Sequence, residues 1–208
     1  MKLFDYEAPF WRFMSRVADL VIVNAYWLIC SLPIVTIGAS TSALYCVTLH
    51  MVRGEGGGVT RMFFSAFKQN LRQGLALFFI LLLPVVLVVY EVWLYVSGAV
   101  EQTLWMSVVF CMPAILVALI TGYVYPLLAQ FDNSVKNTLK NACLLAVGNL
   151  PFSIVMALLN LSAPLLFLFA TSFFIRTCVF WLLLGGAVIA LINSYLLRRV
   201  FHRAFGLD

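Results

Sequence analysis

The stretch LALFFILLLPVVLVVY, residues 75 to 90, is apolar on every side. A strand in a membrane barrel alternates apolar and polar side chains, and a helix on the surface of a soluble protein keeps a polar face; this stretch does neither. It lies inside an uncharged run at 73 to 90, and similar runs occupy 20 to 52, 102 to 131, 141 to 175 and 177 to 197. About 20 apolar residues suffice to cross the hydrocarbon of a bilayer. Composition agrees, with 64% of the 208 residues apolar and 10% charged, against about 45–50% and about 25% in a soluble domain. The reading is an all-α, polytopic transmembrane helical bundle of five to six membrane segments. It forms a single membrane domain over 1 to 208, with no soluble domain between the runs.

The net charge of +5 does not point to nucleic acid, because the bases sit in short connectors where membrane orientation accounts for them. Lys2, Arg12 and Arg16 precede the first run; Arg53, Arg61, Lys68 and Arg72 follow it; Lys136 and Lys140 form a third group; Arg198, Arg199 and Arg203 close the chain. The connectors near 98 to 101, with Glu101, and near 161 to 163, with no charge, read as exterior. Lys and Arg concentrate on the cytoplasmic side, so the expectation is a multi-pass protein of the cell membrane with both termini cytoplasmic. The opening MKLFDYEAPFWRFMSR carries acids and no small-residue cleavage site, and is not expected to be a removable signal peptide.

If the first two basic groups share a side, residues 17 to 52 must cross twice or dip and return. Leu32-Pro33, with Thr36 and Gly38 beyond, supplies the break. The expectation is a helical hairpin broken at Leu32-Pro33, whose second arm, 39 to 52, crosses, re-enters or is covered by protein. Crossings then follow at about 73–97, 103–130 and 141–160, with a last one ending near 197. The stretch from Ala163 to Leu197 is too long for one upright crossing, at about 52 Å against about 30 Å of hydrocarbon. One reading sets Arg176 at the exterior interface, with 164–175 along or folded into the outer leaflet. The other tilts the helix and turns Arg176 toward an acid such as Glu91.

Sliding the sequence by 68 residues lays FFSAFKQNLRQG (63–74) over FDNSVKNTLKNA (131–142), and Leu-Pro pairs recur at 32–33, 83–84 and 150–151. Parallel hairpin repeats over 17–52, 63–130 and 131–198 are one reading; basic residues opening outward helices by rule are the other. Both blocks look amphipathic, with Phe64, Phe67 and Leu71, then Val135, Thr138 and Leu139, on one face. Interface anchoring explains this, and docking of a cytoplasmic partner through Lys68, Asn70, Arg72, Lys136 and Lys140 is the sharper alternative.

Two histidines, His50 and His202, without HExxH, GxSxG or a supporting acid, give no catalytic residues and no expectation of an enzyme. GEGGG at 54–58 lacks the Lys-Ser/Thr of a phosphate-binding loop. Cys30, Cys46, Cys111, Cys143 and Cys178 stand singly in apolar segments, which calls for neither a metal nor a cofactor. The informative groups are polar residues inside apolar runs: Asp19, Asn24, Thr36, Ser40, Thr41, Ser42, Glu91, Asn149, Asn160 and Asn193. With Pro33, Gly38 and Arg176, the members near the first break and in the crossings are the candidate functional residues. Interhelical hydrogen bonding is the plainer role for the Ser, Thr and Asn members. Asp19 is placed to meet Arg16 or another base.

SLPIVTIGASTSALY, residues 31–45, preceded by Asn24 and Trp27, resembles the YesL family of membrane proteins from Gram-positive bacteria. The resemblance continues through Phe63, Phe64, Phe67, Lys68, Asn70 and Gln73 and through Lys140-Asn141-Ala142. It implies a small integral membrane protein of unassigned molecular activity, encoded near carbohydrate ABC transporters and their sensor-regulator systems, and it supplies no catalytic residues. Two functions follow as expectations. The first is a non-enzymatic accessory or regulatory component associated with carbohydrate ABC transport, meeting a permease or sensor kinase subunit in the lipid bilayer. The second is an autonomous small-solute transporter or channel lined by the break at 33–42.

Overall fold

Pro33 has no backbone N–H and disfavours helical geometry in the residue before it, and the first helix, α1 (Pro9–Ser31), stops just short of it. In the computed structural model the chain turns through a short 3-10 segment (Ile34–Thr36) and enters α2 (Ile37–Arg53). The structure describes residues 9–55, 57–99 and 103–206; Lys2 and Glu101, used above for orientation, lie outside them. The Thr36 hydroxyl lies 2.6 Å from the Cys30 carbonyl in the last turn of α1 and 2.7 Å from that of Pro33, which also accepts from the Thr36 N–H at 2.8 Å. Ser31 and Ser40 clasp the two arms at 2.6 Å. The hairpin broken at Leu32-Pro33 is therefore present.

Its second arm is a full-length helix covered by protein. α2 is surrounded by α1, by α3 (Val59–Val96), by α4 (Leu104–Gln130) and by α8 (Gly186–Phe205). Lipid tails are as apolar as the side chains, so small residues that let backbones approach do much of the joining. Gly38 and Gly74 make the closest such approach. A Cβ on Gly38 would run into the Gly74 carbonyl, and one on Gly74 would lie 2.6 Å from the Ala39 nitrogen. One turn away, Asn70 donates to the Ser42 hydroxyl at 3.1 Å. GASTSA is thus the contact strip of a central helix. At the far end Gly54 takes φ 74°, the left-handed position that ends α2, and the next amide returns to the His50 carbonyl at 3.1 Å.

α3 runs unbroken for 38 residues, about 57 Å. The basic block at 63–74 is the first part of this one helix, and it turns Phe63, Ala66, Asn70 and Gly74 inward while Phe64 stays exposed. The inward face is one position off the expected one: Phe63 is buried in place of Phe64, and the close approach to α2 is made at Gly74. Pro84 is carried inside α3, whereas Leu32-Pro33 and Leu150-Pro151 mark helix ends. The matching block at 131–142 opens a separate helix, α5 (Val135–Gly148), with Thr138, Ala142, Leu145 and Ala146 buried.

Two expectations for the second half are corrected. The helix long and apolar enough to cross is α6 (Leu150–Phe169) rather than 141–160, and the turn after it falls at Ala170, not at 161–163. Asn149, with φ −131° and ψ 48°, breaks the chain after α5, and Pro151 then suits the first turn of α6, where no donor is needed. Residues 164–175 accordingly do not form one segment along the outer leaflet. Pro164 is inside α6, and Ala170, at φ −136° and ψ 51°, starts α7 (Thr171–Phe180). From Thr171 the helix continues through a wide π turn, Trp181–Gly185, into α8.

Six helical segments are long and apolar enough to cross a membrane: Phe13–Ser31, Ile34–Arg53, Val59–Val96, Trp105–Gln130, Leu150–Phe169 and Thr171–Ala204. The described residues contain no strand. The Arg198 guanidinium donates to the Val52 carbonyl at 3.3 Å, and the Gln69 amide donates to Asp132 at 3.2 Å. These two bonds draw the bases of α2, α3, the 131–140 segment and α8 to one end of the bundle.

Candidate functional site

Of the polar residues flagged inside apolar runs, Asn24, Ser40, Ser42 and Asn193 are buried and bonded across helices, as an apolar medium demands, and pairs not flagged from sequence join them. Thr48 and Ser194 lie 2.9 Å apart between α2 and α8; Tyr123 and Ser153 lie 3.1 Å apart between α4 and α6. Asn193 on α8 donates to both the Tyr45 hydroxyl and the Asn160 carbonyl oxygen at 2.9 Å, tying α2, α6 and α8.

Asn24 makes the least expected of these bonds. Its amide nitrogen donates to the Leu182 carbonyl at 2.8 Å, and its amide oxygen accepts from the Ala187 N–H at 2.9 Å. Residues 182 and 187 are five apart, the pair that a π turn would join directly. The Asn24 side chain is inserted between them like an extra peptide unit. Gly185 and Gly186 make room: a Cβ on Gly186 would lie 2.7 Å from the Trp27 ring, and one on Gly185 would lie 2.6 Å from the ring of Trp181.

Beside this insertion lies an open cleft of about 530 Å³ between α1, α2, α6, α7 and α8. Trp27, Phe174 and Trp181 are among its walls, and Thr41, Tyr45 and Asn160 supply its polar groups. Phe174 and Trp181 stack at 6.1 Å with 27° between their planes. Among the described residues no Asp, Glu, Lys, Arg or His lines it, so it suits an uncharged, largely apolar molecule. A second cavity of about 280 Å³, lined in part by His50, Gln69, Gln130 and Asp132, lies at the basic end. There the His50 ring lies 2.8 Å from the Cys46 carbonyl and 3.3 Å from Glu55.

Of the polar residues named from sequence, Thr41 and Asn160 line the apolar cleft, and Asn24 holds the turn that shapes it. Thr36, Gly38 and Ser40 belong to the hairpin and its packing on α3. Pro33 is exposed at the turn. Glu91 is the one buried residue of α3 beyond Leu81, and Arg176 is exposed on α7. Among the described residues neither forms an ion pair, so Arg176 does not turn in to Glu91, and Asp19 meets no base. Lys68, Arg72, Lys136 and Lys140 are exposed, but Asn70 is turned into the bundle and is unavailable to a partner. Sequence reasoning missed Tyr45 and Trp181 as cleft residues because an aromatic in an apolar run gives no signal of which cavity it will face.

Residues 20 to 92, from α1 through most of α3, match the model of a family described as a protein of unknown function, DUF624. The match agrees with a resemblance to a family of unassigned activity. Neither curated proteins nor solved structures give a match.

Proposed function

We propose that this integral membrane protein is a non-enzymatic accessory or regulatory component of carbohydrate ABC transport, acting through contacts with a permease or sensor kinase subunit in the cell membrane. The observation that supports this reading is how the intramembrane polar groups are used. A solute path needs uncommitted polar groups in sequence along it, whereas Asn24, Ser40, Ser42, Thr48, Asn70, Ser153, Asn193 and Ser194 bond to neighbouring helices or helix backbone. Lys68, Arg72, Lys136 and Lys140 remain exposed at the basic end as a surface for an acidic partner. The link to carbohydrate uptake comes from the resemblance at residues 31–45.

Purification in mild detergent is expected to recover a permease or kinase subunit with the native chain, and to lose it when those four bases are changed together to Gln. Arg53, Arg61, Arg198, Arg199 and Arg203 then still hold the orientation. Repeated recovery of neither subunit overturns the proposal. The proposed orientation places the basic end in the cytoplasm; a reporter fused after Gly57 is expected to be active inside, and a thiol probe at Ser97 to be labelled from outside. The reverse pattern overturns it.

The apolar cleft favours a second reading, an autonomous transporter of a small solute. Flux in reconstituted vesicles that Thr41→Val and Asn160→Leu abolish would establish that reading in place of the first.

A further inference from the structure

We infer that the apolar cleft binds a flat, neutral ring carrying carbonyl acceptors on an apolar tail, the chemistry of a lipophilic quinone. The inference goes beyond the proposed function and does not depend on it. Its basis is the way the cleft's polar groups are spent. Asn160 Oδ1 accepts from Asn193, which leaves the Asn160 amide hydrogens free. The Tyr45 oxygen accepts from the same Asn193 amide, which leaves the phenolic O–H free. Thr41 Oγ1 accepts from the Trp27 indole N–H at 3.2 Å, which leaves its own O–H free. Among the described residues none of these three donors has an acceptor, while all three side-chain oxygens are engaged. The cleft therefore offers three free donors to an acceptor, while each of its side-chain oxygens already accepts one bond.

Asn193 is fully buried and Tyr45 nearly so, which fixes the two groups that orient this floor. An anion would be stranded there, since among the described residues no base lines the cleft and burying a charge unpaired is costly. An aliphatic chain alone would leave the donors unpaired. A ring with carbonyl oxygens satisfies them and finds aromatic faces in Trp27, Phe174 and Trp181. The volume lies within the range of small-ligand sites, about 300–1,000 Å³. Helices that are exposed and apolar on their outer sides, such as α6 and α7, allow entry from the lipid.

The test uses the full chain in detergent and a naphthoquinone bearing a short isoprenyl tail. Trp27 and Trp181 in the cleft report binding as quenching of tryptophan fluorescence. Saturable quenching is expected, with the apparent dissociation constant raised about five- to tenfold by Tyr45→Phe and by Thr41→Val, each of which removes one donor. Ala163→Trp, which fills the cleft from α6 without touching the donors, is expected to abolish saturation. Quenching that rises linearly and equally in all variants overturns the inference. So does displacement by diacylglycerol of an ester lipid retained through purification, with the quinone failing to compete; the cleft would then be a glycerolipid site. Melting curves of each variant separate lost binding from lost fold.

Discussion

Gly74→Leu is expected to lower the melting temperature of the detergent-solubilised protein by about 10 °C or to prevent its folding. The reason lies in what the new side chain meets. Its Cβ would be 2.6 Å from the Ala39 nitrogen and 2.8 Å from its Cα, so the obstacle is backbone and not a side chain that can swing aside. α2 would have to move off α3 as a body. That separates Asn70 from Ser42 and loosens the helix around which four others pack. Forcing extra carbons into a close-packed contact costs about 1–3 kcal/mol, with more where backbone must shift, and a protein of this size loses about 2–4 °C per kcal/mol. Gly148→Ala is the control. Its Cβ would meet nothing within 4 Å, the residue has no positive φ, and removing a glycine from a helix end is expected to leave stability unchanged or raise it slightly. Thermal unfolding followed by static light scattering distinguishes the two, and equal melting of both variants would refute the tight α2–α3 contact.

The same glycine pair shows what the sequence could and could not reveal. Helical membrane class, the hairpin and its break followed from charge spacing and one proline, because both act locally: an apolar run must be a helix in lipid, and Pro33 must interrupt it. The position of the outer turn did not follow. The absence of charge near 161–163 suggested an end there, yet the helix runs on through Pro164 and the chain turned at Ala170, whose residue type gives no warning. The placing of 141–160 as a crossing failed for a related reason, since apolar composition does not separate α5 from α6 and the break rests on the backbone of Asn149. The polar residues were legible as a set and illegible as pairs. Asn24 stands 158 residues from Leu182, and Thr48 stands 146 from Ser194. Periodicity carries no record of such partners.

Asn24→Ala is expected to be the most costly single truncation among the polar residues of the bundle. Asn24 is fully buried, and both ends of its amide are occupied by backbone groups of the wide turn, the Leu182 carbonyl and the Ala187 N–H. Truncation leaves the Leu182 carbonyl and the Ala187 N–H unpaired in an apolar setting, at about 1–3 kcal/mol each. Asn24→Leu keeps most of the volume and removes the same two bonds, so the pair of variants separates packing from hydrogen bonding: equal losses, of about 5–20 °C in melting temperature, assign the effect to the amide. There is one escape. If the turn at 181–185 tightens to a regular α-helix, the amides regain partners within the helix, but α7 rotates by about 100° relative to α8 for the residue taken out of the wide turn. Trp181 and Phe174 then leave the cleft. Stability would recover while the environment of Trp181 changed, which appears as a shift in tryptophan emission absent from Asn160→Leu. A variant that melts as the native chain does and keeps the native emission would show that the Asn24 amide does not hold the wide turn open. Since Gly186 admits the Trp27 ring of α1 beside that turn, and Gly185 the ring of Trp181, the shape of the cleft and the seating of the first helix are tied to the same inserted side chain.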